Sequence, residues 1–75
     1  MIDAQLFTPE LTSALEDTEQ AIQDLLPRSP RRAARLHLEC LDVRTEHRAS
    51  RLTDRELTAA LVHIRAQAGT AAAAP

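Results

Sequence analysis

The sequence predicts an all-α protein, built as an antiparallel hairpin of two long helices plus a shorter third helix and completed as a homodimeric helical bundle. Apolar residues recur at spacings of three and four in three segments, which is the period of an amphipathic helix. Proline and capping residues separate these segments. The 75 residues include one glycine and one aromatic residue, a composition poor in the tight turns and bulky side chains of a β-sheet.

The first helix is predicted over about 9–26. Thr8 is placed to cap it, Pro9 takes the first helical position, and Phe7 can fold back as a hydrophobic staple. Pro27 ends it, because the residue before a proline avoids helical dihedral angles. The apolar seam of this helix comprises Leu11, Leu15, Thr18, Ile22 and Leu25.

The second helix is predicted over about 30–50, with Ser29 as N-cap and Pro30 in the first turn. An alternative is a strand, because apolar and polar residues alternate from 36 to 40. Helix is favoured, since the alternation breaks at Leu41 and a single strand would have no sheet partner. As a helix it is apolar nearly all round its middle, so two surfaces need cover. Oligomerisation is therefore expected.

The third helix is predicted over about 54–68. Thr53 and Glu56 have the spacing of a capping box, and Leu52 and Leu57 that of its staple. Gly69 fits a left-handed helix end. A single domain is thus expected over 1–69, followed by a disordered, alanine-rich tail over 70–75.

The run Leu-Thr-Asp-Arg-Glu-Leu at 52–57 resembles the opening of the helix-turn-helix domain of LuxR-type regulators. The resemblance covers six residues, and the two further helices that such a domain needs do not fit in the remaining chain. We therefore interpret the run as a helix cap and assign no family.

Catalysis, cofactors, metals and membranes are all disfavoured by the sequence. No serine lies on a glycine-flanked turn, and the histidines lack a nucleophile and an orienting acid at a recognisable spacing. His37 and Cys40 could share a helical face, but a zinc site would need further ligands such as His63. No apolar run approaches a membrane span, and the acidic start lacks a signal peptide. With a lone cysteine, a cytoplasmic location is expected.

The charge is divided along the chain, although the net value is only −2. Residues 1–26 contain six acidic side chains and no basic one, whereas all nine cations, each an arginine, follow residue 27. Either these arginines pair with Glu16, Glu19 and Asp24 within or between chains, or they contact phosphates or an acidic protein. The candidate basic binding face comprises Arg28, Arg31, Arg32, Arg35, Arg44 and Arg48.

These features favour a small, non-catalytic protein–protein interaction module that regulates, chaperones or inhibits a protein partner through a helical face. Its expected partners are a second copy and another protein, and its size suits a bacterial or phage accessory protein. The alternatives are a dimeric DNA-binding transcriptional regulator that uses the arginines at the start of helix two, and a structural subunit of an assembly. The predicted core or dimer seam comprises Leu11, Leu15, Ile22, Leu25, Leu36, Leu38, Leu41, Leu57, Leu61 and Ile64.

Overall fold

A computed structural model describes residues 9–73 of the chain and confirms the all-α prediction. Three helices follow one another, α1 (Pro9–Leu25), α2 (Pro30–Arg48) and α3 (Asp54–Ala73). Residues 9–73 contain no strand, so the strand alternative for 36–40 is wrong. None of these helices is long and apolar enough to cross a membrane.

Helix α1 starts at Pro9, and its predicted cap and staple, Thr8 and Phe7, lie outside the described residues. All five residues of its predicted seam are buried. The helix ends one residue earlier than expected. Its last carbonyl, that of Leu25, accepts the N–H groups of Arg28 and Ser29 at 2.9 and 2.8 Å, which closes the turn around Pro27.

Helix α2 has Ser29 at its N-cap position and Pro30 in the first turn, as predicted, but the Ser29 hydroxyl makes no capping hydrogen bond. The helix ends at Arg48, two residues earlier than expected, in a Schellman motif. The N–H of Arg51 donates to the Glu46 carbonyl at 2.8 Å, and the N–H of Ser50 to the His47 carbonyl at 3.0 Å. Ser50 consequently has φ 65°, a left-handed conformation that glycine adopts at lower cost.

Helix α3 starts with the predicted capping box. The Thr53 N–H donates to Glu56 Oε1 at 2.8 Å, and the Glu56 N–H donates to Thr53 Oγ1 at 3.1 Å. The predicted end at 68 and the predicted left-handed Gly69 are wrong. The helix continues through Gly69 to Ala73, and at 20 residues it is the longest of the three rather than the shortest. Alanines beyond the glycine favour helix strongly enough to offset its cost of about 1 kcal/mol. The last two residues of the predicted disordered tail lie outside the described range.

The three helices form an up-down-up bundle, because short connections at 26–29 and 49–53 reverse the chain twice. The start of α2 lies beside the end of α3, where Arg32 and Leu36 line a groove together with His63 and Gln67. Helices α1 and α3 therefore run parallel. Their contact is the most extensive in the bundle, and that of the α1–α2 hairpin is the least.

The core lies in one closed seam between the helices. It comprises Leu11, Leu15, Ile22, Leu25, Ala33, Leu36, Cys40, Leu57, Leu61, Ile64 and Ala68, with Thr18 buried among them. Eight of the ten predicted seam residues belong to this core. The other two, Leu38 and Leu41, are exposed on the opposite side of α2. Within residues 9–73 a single chain thus encloses a core of its own and leaves Leu38 and Leu41 exposed on the outer side of α2.

Candidate functional site: the outer face of α2

Helix α2 has two apolar rows on opposite sides. The inner row of Ala33, Leu36, Cys40 and Val43 faces the core. The outer row consists of Ala34, Leu38, Leu41 and Thr45, again spaced by four, three and four, so its members follow one line along the helix. We call this row the outer seam. It is why the sequence showed apolar residues all round α2.

The two leucines at the centre of the outer seam are strongly exposed. Leu38 retains 60% and Leu41 42% of its accessible surface. The hydroxyl of Thr45, at the end of the seam, donates to the Leu41 carbonyl at 2.9 Å, so it needs no polar partner on this face. Full burial of a leucine stabilises by about 1.5–3 kcal/mol, so covering this pair would yield a substantial gain.

Charged side chains surround the outer seam. Arg31 and Arg48 lie at its two ends, Arg35 and Asp42 along one edge, and Arg44 along the other. All except Arg44 are in the exposed class. An apolar centre inside a polar rim is the usual anatomy of a protein-binding surface.

Arg44, a member of the predicted basic face, pairs with the acidic helix α1. Arg44 Nη1 lies 3.5 Å from Glu19 Oε2, as the internal-pairing interpretation expects. Asp24 accepts a 2.9 Å hydrogen bond from Gln20 Nε2. Arg31, Arg32, Arg35 and Arg48 have no ion-pair partner in this part of the chain.

Cys40 and the histidines do not form a metal site within residues 9–73, where no three potential ligands come together. Cys40 is a buried core residue. Burial raises the pKa of its thiol above the ordinary 9.0; the charge of Arg44 opposes this and that of Glu19 adds to it. His47 Nε2 lies 2.6 Å from Asp54 Oδ1, a contact that ties the end of α2 to the start of α3.

A second surface feature is the open groove of about 520 Å³ between the start of α2 and the end of α3. Arg32, Arg35 and His63 line it, together with small and apolar side chains. It has no acidic residue in its lining, so it adds to the positive surface at this end of the bundle.

Two features of the protein surface were not predicted from the sequence. Asp42 was not singled out by charge patterning, although its spacing of seven from Arg35 places both on one edge of the outer seam. Val62 of α3 is 55% exposed, and it lies away from the outer seam beside the first turns of α1. The spacing between Arg35 and Asp42 can be read from the sequence, but it indicates a shared edge of the outer seam only once it is known which side of α2 faces the core.

No protein-family model matches the chain, and neither a curated protein nor a solved structure shows significant similarity to it. Its function therefore has to be argued from the surface that the bundle exposes.

Proposed function

We propose that this protein is a small, non-catalytic protein–protein interaction module that regulates, chaperones or inhibits a protein partner, and that the outer seam of α2 is its binding face. The observation that supports this most directly is the exposure of Leu38 and Leu41 side by side on a helix whose opposite side already completes the core. The proposal includes self-association as a homodimer. A cytoplasmic location accords with the single thiol of the chain.

The outer seam suits helix-mediated recognition. Anchors spaced by three and four on a regular helix match the arrangement by which an amphipathic helix fills an apolar groove. Because α2 is held by the core on its inner side, little conformational entropy remains to be lost on binding. The arginines around the seam favour an acidic rim on the partner and would speed the encounter.

The test is affinity capture from the native host with three versions of the protein. The wild type and a Val62→Ser control should retain the same protein, and a Leu38→Ser/Leu41→Ser double variant should lose it. The control removes an exposed apolar residue outside the outer seam. Calorimetric titration of the purified partner should then show binding at least about tenfold weaker for the double variant. Equal binding by all three versions would refute the proposed face.

A second candidate function is that of a dimeric DNA-binding transcriptional regulator. Arg31, Arg32 and Arg35 at the start of α2 favour it, because they are exposed and have no ion-pair partner within residues 9–73. The net charge of −2 and the lack of lysine oppose it. Fluorescence anisotropy with a labelled duplex separates the two functions. DNA binding should fall steeply with salt and disappear in Arg32→Glu/Arg35→Glu, whereas an apolar protein interface should be nearly insensitive to salt.

A further inference from the structure

From the charge pattern around the outer seam, we infer that a second copy of this chain covers it, with the two α2 helices antiparallel and Leu38 of each copy packed against Leu41 of the other. This inference rests on the proposed function, whose binding face it adopts, and it names the occupant and the geometry. A protein partner would bind this face in competition with the second copy. Four observations support it.

The first observation is the register that the leucines allow. In an antiparallel pair centred between residues 39 and 40, Leu38 and Leu41 face each other twice, and Ala34 faces Thr45 twice. Shifting one helix by a full heptad would set a leucine against Arg31 or Arg48. The apolar residues are therefore matched in one antiparallel register.

The second observation is charge complementarity along the edge that carries Arg35 and Asp42. In the register above, Arg35 of each copy lies level with Asp42 of the other, which gives two symmetric ion pairs. Both side chains are exposed, and neither has an ion-pair partner within residues 9–73. Their unused charges match each other only across a second copy.

The third observation concerns the opposite edge, where His37 of each copy faces Arg44 of the other. The Arg44 guanidinium is directed towards Glu19 of its own α1 at 3.5 Å, which offsets its charge and draws it away from the dimer axis. At the ends, Arg31 faces Arg48, a like-charge contact that opposes the dimer and limits the favourable contact to the four seam positions.

The fourth observation is that the other helices offer no comparable surface. On α1 the exposed residues from 12 to 24 are all polar or charged, and on α3 the only large apolar residue exposed before position 71 is Val62. Among the three described helices, only α2 has two exposed leucines next to each other, so we expect α2 to be the helix that contacts the second copy. Because a single helix face makes a small interface, we expect the dissociation constant of the dimer to lie in the micromolar range.

Sedimentation equilibrium of the full chain across micromolar concentrations tests the inference. The wild type should shift from 8.3 kDa to twice that mass. Leu38→Ser should weaken the dimer by at least about tenfold, while Val62→Ser leaves it unchanged. Arg35→Asp and Asp42→Arg should each weaken it by about tenfold, because attraction becomes repulsion at two places. The charge-swapped double variant Arg35→Asp/Asp42→Arg should return to within about threefold of the wild type.

Circular dichroism of each variant checks that the fold is intact, which the exposed positions of all these residues predict. A monomeric wild type, or a charge swap that stays as weak as either single variant, would overturn the antiparallel dimer. Either result leaves the proposed binding of a protein partner standing, since that is judged by capture of a different protein, whereas a monomeric wild type would remove the homodimer from the proposal. A parallel dimer is also distinguishable, because it does not bring Arg35 level with Asp42 and the swap would not restore it.

Discussion

Thr18 Oγ1 donates a 3.1 Å hydrogen bond to the main-chain carbonyl of Leu61, joining α1 to α3 in the middle of the core. Both residues are fully buried. With this bond as reference, the offset of 43 positions places Ala14 level with Leu57 and Leu25 level with Ala68. A single polar group thus marks the register of two parallel helices.

Two substitutions at Thr18 separate its hydrogen bond from its packing. Thr18→Val keeps the shape and removes the hydroxyl, so we expect the free energy of unfolding to change by less than about 1 kcal/mol. Thr18→Ser keeps the hydroxyl and removes a buried methyl group, which should cost about 1 kcal/mol. Leu15→Ala, as a pure packing reference, should cost about 2–5 kcal/mol. Urea unfolding measures the free energy of unfolding of all three variants. A larger loss of stability in Thr18→Val than in Thr18→Ser would mean that the hydrogen bond stabilises the core more than the methyl group does.

The caps of α2 and α3 predict losses of different size when the N-cap residue is replaced by alanine. Thr53→Ala should destabilise the protein by about 0.5–2 kcal/mol, because it removes the hydroxyl that accepts the Glu56 N–H. Ser29→Ala should change stability by less than about 0.5 kcal/mol, since Ser29 makes no side-chain capping bond. Thermal unfolding followed by circular dichroism compares the two. Equal losses would contradict the assignment of the cap energy to the side chain.

The left-handed Ser50 provides a stabilising substitution. Ser50→Gly should raise the free energy of unfolding by about 0.5–1 kcal/mol, because glycine tolerates φ 65° without the steric cost that serine bears. Ala49→Gly is the matched control. Ala49 has φ −83°, a conformation that alanine adopts without strain. Glycine there only increases the backbone entropy of the unfolded chain, so it should destabilise by about 0.5–1 kcal/mol. A loss of stability in Ser50→Gly would contradict a strained turn.

The buried thiol of Cys40 predicts an alkaline limit to stability. Because burial raises its pKa in the folded state, the unfolded chain loses this proton first as the pH rises through 9.0. The folded state then binds more protons than the unfolded one, so stability falls above that pH until the folded pKa is passed. The sequence has no tyrosine or lysine, so among titratable side chains with an ordinary pKa near this range Cys40 stands alone.

Unfolding curves between neutral and alkaline pH measure this effect, with Cys40→Ala as control. The alanine variant is less stable throughout but should lack the extra decline above pH 9.0. Native Cys40 should also react with a thiol reagent at least about a hundredfold more slowly than in denaturant, because opening of the core must come first. Parallel pH profiles for both proteins would contradict this assignment.

The helices and most of the core could be predicted because their signals are local. The Thr53 and Glu56 spacing, the prolines before α1 and α2, and the three- and four-residue periods all act within a few residues of chain. The end of α3 could not, because Gly69 was given more weight than the alanines that follow it. Helix pairing also escaped prediction, since it depends on contacts between segments distant in sequence.

The assignment of the two sides of α2 shows the same limit. Both rows have helical spacing, and the outer one contains two leucines against one leucine in the inner row. The inner row nevertheless enters the core, where its small members, Ala33 and Cys40, let α2 approach the other helices closely. The number of leucines alone favours the outer row, whereas Cys40 and Val43 make the inner row the more apolar of the two as a whole.

The extensive pairing of α1 with α3 has a consequence for synthesis of the protein on the ribosome. Thr18 and Leu61 are 43 positions apart, so the strongest helix contact waits until almost the whole bundle has been translated. The α1–α2 hairpin, which is synthesised first, has a smaller contact than the α1–α3 pair and leaves most of the apolar seam of α1 exposed to solvent. The bundle is therefore expected to fold only once α3 has been synthesised, rather than from the α1–α2 hairpin alone.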